Sequence, residues 1–143
     1  MNNALGVLGI AKKAGLLEIG EESVNSASKR RKAKLILSAS DASDASKRHA
    51  KSYAEYGGGV WAQLEFTKSE LAAVIGRGAP GMIAVTDPGL AYSFLTKLTE
   101  SGTADFYDIA EKLRKEAEAQ LQRRRETVAH KRNNRTGKGR TGK

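Results

Sequence analysis

Apolar positions recur along the first hundred residues in two alternating rhythms. In residues 3–14, Leu5, Leu8 and Ile10 stand among Ala and Lys, which predicts a short helix ended by Gly15. "LEIG" is a brief extended piece. After Gly20, "EESVNSASKRR" reads as a helix of about three turns, with Glu21 and Glu22 suited to its positive end and Lys29, Arg30 and Arg31 to its negative end. Leu35, Ile36 and Leu37 form a continuous apolar run, the pattern of a strand covered on both faces. Asp41, Ser43 and Asp44 can accept from the free amides of a helix start, so "DASKRHAKSYAEYG" is predicted as helix, stopped by the glycines at 57–59. "VWAQLEF" alternates as a strand does. Thr67 with Glu70 three residues later has the spacing of a capping box at the head of "TKSELAAVIG". "MIAVT" is another buried-type strand, and "DPGLAYSFLTKLTES" another helix with Pro88 in its first turn.

This alternation of short strands and longer helices over residues 18–101 predicts an α/β protein: a three-layer α/β/α sandwich with a small, mostly parallel central sheet. After Gly102 the rhythm changes. Phe106, Ile109, Leu113, Ala117 and Leu121 fall on one helical stripe in a segment otherwise rich in Lys, Arg, Glu and Gln. The expected organisation is therefore a folded domain over 1–102, an amphipathic basic helix over 103–130 and a disordered basic tail over 131–143, too poor in apolar residues to fold alone.

Composition narrows the chemistry. With 143 residues, 39% hydrophobic and 6% aromatic, the chain supports one core built mainly from Ala, Leu, Val and Ile, and no large ligand cavity is expected. The absence of cysteine excludes disulfides and thiolate metal sites, and His49 with His130 is too small a set for zinc, so neither metal nor cofactor is expected. The apolar N-terminal stretch is short and is followed by Lys12 and Lys13, which suits an amphipathic helix better than a signal peptide. No segment approaches the roughly 20 apolar residues of a membrane span. A cytoplasmic protein with no membrane partner is the expectation.

Charge points to a partner. The net charge is +9, and residues 105–143 hold 12 Lys and Arg against 6 Asp and Glu. A second concentration lies in "KRRKAK", where Lys29, Arg30, Arg31, Lys32 and Lys34 crowd into six residues. Like charges so close repel unless an anion offsets them, so a polyanion, nucleic acid first, is the partner class they favour over a merely solvated face. Asp41 and Asp44 could form an acid/base pair, but no nucleophile, metal cluster or well-placed histidine accompanies them, and helix capping accounts for them better. Two phosphate-binding look-alikes fail on context. "GRGAPG" at 76–81 follows a helix and precedes a strand, the reverse of the dinucleotide order, and "GKGRTGK" at 137–143 lacks the closing Ser or Thr. Tyr53, Tyr56, Trp61, Phe66 and Tyr92 are scattered over different elements, as packing residues are.

The ordered set "GEESVNSASKRRKAKLILSASDAS", "TKSELAAVIGRG" and "MIAVTDPGLA" resembles the kink-turn-binding ribosomal protein family, the archaeal and eukaryotic L-seven-Ae and L-thirty-e type with its small bacterial homologues, over about residues 3–101. The resemblance implies an α/β/α fold that grips sharply bent RNA at tandem sheared G·A pairs. It assigns the first contact to Gly20, Glu21, Glu22 and Ser23 at the start of a helix, with free amides for phosphate and side chains for guanine amino groups. Ser26 stands where many members carry lysine, so a direct cation contact is lost unless Lys29 or Arg30 reaches the backbone; Lys29, Arg30 and Lys32 of the basic cluster complete the RNA-binding set. A second contact, a loop against a flipped-out nucleotide, falls on Arg77, Gly78, Ala79 and Pro80, continuing to Gly81.

The function expected is non-enzymatic recognition of structured RNA, ribosomal RNA or ribosome-associated RNA first, by a chain that is monomeric when free, with a tail adding salt-sensitive phosphate contacts. Two other readings stay open. One is an adaptor docking a protein through the stripe at 106–121; the other is a substrate-binding module of an RNA-modifying system.

Overall fold

The four apolar stretches pair into one sheet. The computed structural model describes residues 3–76, 78, 80–102 and 106–141. In chain order its elements are α1 (Asn3–Lys13), β1 (Leu17–Ile19), α2 (Glu21–Lys29), β2 (Leu35–Ser38), α3 (Asp44–Gly57), β3 (Val60–Gln63), α4 (Lys68–Ile75), β4 (Met82–Val85), α5 (Pro88–Glu100) and α6 (Tyr107–Thr141). The strand order is β1-β4-β2-β3. Strands β2 and β4 are buried along their whole length, as their unbroken apolar runs require, while β3 at the edge alternates.

The α/β sandwich stands, but its sheet is mixed rather than mostly parallel. Only β2 and β3 run parallel; β4 is antiparallel to both β1 and β2. The reason lies in the connection after β3. The eight residues of α4 and the loop at 76–81 return the chain to the end of the sheet it had just left, so β4 must run back.

Two cores cover the two faces. Helices α2 and α3 pack Val24, Ala27, Ala50 and Ala54 on Ile36, Met82 and Ala84. The larger core joins α1, α4 and α5 to Leu35, Leu37, Ile83 and Val85, with Leu8, Leu71 and Phe94 fully buried. Each such side chain contributes about 1.5–3 kcal/mol by leaving water.

The apolar stripe of α6 belongs to this core. Ala110 and Leu113 are buried in it, with Phe106 and Ile109 packed alongside, whereas Leu121 is 47% exposed. The adaptor reading loses most of its surface, because α5 and the core already occupy the stripe. The helix is described as far as Thr141, past the expected boundary at 130. Once a helix is anchored, each further residue adds a hydrogen bond without a new nucleation cost.

Candidate nucleic-acid interface

The register gives the sheet two distinct ends. Ile19 pairs with Ile83, Ser38 with Met82 and Gln63 with Ser38, so β1, β2 and β3 all finish where β4 begins. We call this the loop end.

Three helices start there. Gly20 precedes α2 with φ 93° and ψ 158°, a backbone region open only to glycine in practice, and its amide donates to the Met82 carbonyl at 2.9 Å. That bond seats the head of α2 directly against the end of the 76–81 loop. Ala39 N donates to the Gly81 carbonyl at 3.0 Å, which ties the same loop to the exit of β2. Ser43 caps α3 by accepting from Ser46 N at 3.1 Å. Asp41 serves a different helix from the one expected: its Oδ1 accepts from Lys68 N at 2.8 Å, at the first turn of α4. The Thr67–Glu70 capping box forms as the sequence predicts. The starts of α2, α3 and α4 and the glycine-bearing loop are thereby held as one surface, and α2 alone among α2–α5 has no side-chain cap. Uncapped amides at a helix head are free to meet an anion.

The sequence-predicted residues divide among three situations. Gly20, Glu22, Ser23 and Ser26 lie along the first turns of α2, with Glu22 and Ser26 exposed and Gly20 and Ser23 half-buried. Glu21 is there too, but it is engaged: its Oε2 accepts from the Tyr53 hydroxyl at 3.0 Å and lies 3.0 Å from His49 Nδ1, both on α3. The hydrogen bond with His49, then that with Tyr53, holds its carboxyl below the usual range. Tyr53 is pushed up to about 12, first by burial and then by its bond to Glu21. Of the loop, Gly78 is exposed and Pro80 is buried; Arg77 and Ala79 lie outside the described residues.

Lys29, Arg30 and Lys32 are not at the loop end. They sit at the far end of α2, whose nine residues span about 13 Å, beside the start of β2. Arg30 alone reaches back, its Nε donating to the Ser26 carbonyl at 3.4 Å. The single interface drawn from sequence is therefore two surfaces at opposite ends of the sheet.

Sequence reasoning missed the contacts that join α2 to α3. His49, Tyr53 and Tyr56 line one side of α3, with Tyr53 and Tyr56 edge to face at 5.9 Å and the Tyr56 hydroxyl donating to Asn25 of α2. The i, i+4 and i+3 spacing of these residues was the available signal. Trp61 is a packing residue as expected, its Nε1 donating to Ser38 Oγ at 2.9 Å.

No protein-family model matches the chain, and no curated protein matches it. Among solved structures it is similar to a Bacillus halodurans protein of unknown function, at 23% identity and a TM-score of 0.63, over 69% of this chain and 99% of that one. It is also similar to a Giardia lamblia 15.5kD RNA binding protein, at 14% identity and a TM-score of 0.54, over 67% of this chain and 82% of that one. At these identities what is shared is the fold.

Proposed function

We propose that this chain is a non-enzymatic RNA-binding protein that recognises sharply bent, structured RNA at the loop end of its sheet, with ribosomal RNA as the first candidate class. The observation that carries the reading is the bond from Gly20 N to the Met82 carbonyl, which seats the uncapped head of α2 beside the 76–81 loop. Such a pairing suits RNA: free amides donate to a phosphate oxygen, exposed Glu22 and half-buried Ser23 can meet base edges, and the glycine-bearing loop lets backbone approach an unstacked nucleotide. The likeness in fold to the Giardia RNA-binding protein supports the same reading. So does the net charge of +9.

Recognition by shape has a direct test. Equilibrium binding is measured, at one salt concentration, for an RNA hairpin carrying a kink-turn with tandem G·A pairs and for the same hairpin with those pairs replaced by Watson–Crick pairs. The bent RNA is expected to bind about tenfold or more tightly, since one set of base-edge contacts is worth about 1–3 kcal/mol. Equal affinities would overturn the proposal.

A further inference from the structure

The end of the sheet away from the loops carries a second basic surface. There Arg30, Arg31, Lys32 and Lys34 line a cavity of about 420 Å³ closed on its other side by Gln120 of α6, with Glu18 as the one acid in its wall. Lys34 Nζ pairs with Glu116 of α6 at 2.9 Å and donates to the Arg31 carbonyl at 3.2 Å, which fixes α6 against the cluster. Arg123 and Arg124 follow Gln120 by three and four residues, so they extend the same face of α6 one turn further, and both are exposed.

Arg31 is the unusual member. Its φ is 56°, the one positive value at a non-glycine among the described residues. Arg31 N donates to the Ser28 carbonyl at 2.9 Å and Lys32 N to the Ala27 carbonyl at 2.8 Å, closing α2 in the arrangement whose left-handed position is ordinarily glycine. Keeping arginine there strains the backbone and places a guanidinium at this end of the molecule. One structural use is visible: Nη1 would stand 3.1 Å from a Cβ on Gly58, beside the carbonyl end of α3. A helix end carries only about half a charge, however, and its field fades within a turn, so the helix ends do not account for five cations in six residues.

We propose that this surface is a second RNA contact, one that holds the phosphates of an RNA helix without reading bases, so that a single molecule grips RNA at both ends of its sheet. The proposal rests on the RNA-binding reading above and extends it. RNA phosphates match the surface better than an acidic protein does, because the cations are spread over a cavity and along a helix face rather than matched to discrete partners, and each phosphate contact releases condensed counterions.

The test uses the full chain with Arg30→Gln, Arg31→Gly and Lys32→Gln together, against the bent hairpin and its Watson–Crick control over a range of salt. The variant is expected to bind both RNAs about 10- to 100-fold more weakly at about 0.1 M salt, with a plot of log affinity against log salt shallower by about 2–3, and with the ratio between the two RNAs unchanged. Its thermal unfolding midpoint is expected to hold or rise, since glycine relieves the strain at 31. Restoring charge with Arg30→Lys and Arg31→Lys, Lys32 being left in place, recovers most of the affinity. A folded variant with wild-type affinity and slope overturns the proposal and leaves the cluster to an acidic protein. A variant that loses the ratio overturns the separation of the two surfaces. A wild-type chain that binds neither RNA overturns the function itself.

Discussion

Gly59 sets how closely the exit of α3 can run beside the segment entering β2. A Cβ there would stand 2.3 Å from the Ala33 carbonyl oxygen, a separation that no real Cβ contact tolerates. At Gly57 the same atom would meet the Ser28 carbonyl at 2.8 Å. Backbone touches backbone at this seam, and the Ser28 hydroxyl beside it is buried with no hydrogen-bond partner among the described residues, so packing and not polarity closes it. Gly59→Ala is therefore expected to destabilise the fold by about 1–3 kcal/mol, as overpacking does, seen as a lower urea midpoint at unchanged slope. A midpoint within error of wild type would contradict the seam. The run "GGG" was legible as a helix stop. Its second duty was not, because the backbone it must approach lies more than twenty residues earlier in the chain.

Between elements, α2 and α3 are joined at the head of α2 by Glu21 with His49 and Tyr53, and further along by Asn25 with Tyr56. The two titrations run in opposite directions. Glu21 is lowered from its ordinary 4.5, so its contribution is present above that value and is lost as pH falls through its folded value. Tyr53 is raised from 10.0 to about 12, so its contribution is full below pH 10 and is lost as pH climbs through about 12. In the folded chain the phenolate absorbance of Tyr53 should appear at about pH 12. Glu21→Gln should bring that midpoint part of the way back towards 10, burial accounting for the rest; an unmoved midpoint would mean that the carboxylate does not face the phenol.

Most elements could be read directly. The capping box at Thr67, Pro88 in the first turn of α5 and the doubly covered β2 all follow from side-chain chemistry within a few residues. Strand direction could not be read that way. It depends on which end of the sheet the chain re-enters after α4, and an apolar run such as "MIAV" is the same in either direction. The docking of α6 was half legible. Its stripe is in the sequence, but its partner, α5, is not.

Across the whole molecule, the sheet separates two kinds of surface. The loop end offers helix heads and glycines; the other offers a basic cavity continued by α6. The sequence reading put residues 20–32 on one surface, because they are contiguous in the chain and only the length of α2 reveals that a helix separates them. The proposed separation of recognition from general affinity predicts that base-specific contact occurs at the loop end. Amide chemical-shift mapping of the full chain with the kink-turn hairpin tests this most directly. Large shifts are expected at residues 20–23, 39–46 and 76–81, and they should vanish with the Watson–Crick control while shifts at 29–34 persist. Shifts confined to 29–34 and α6 with both RNAs would contradict the account.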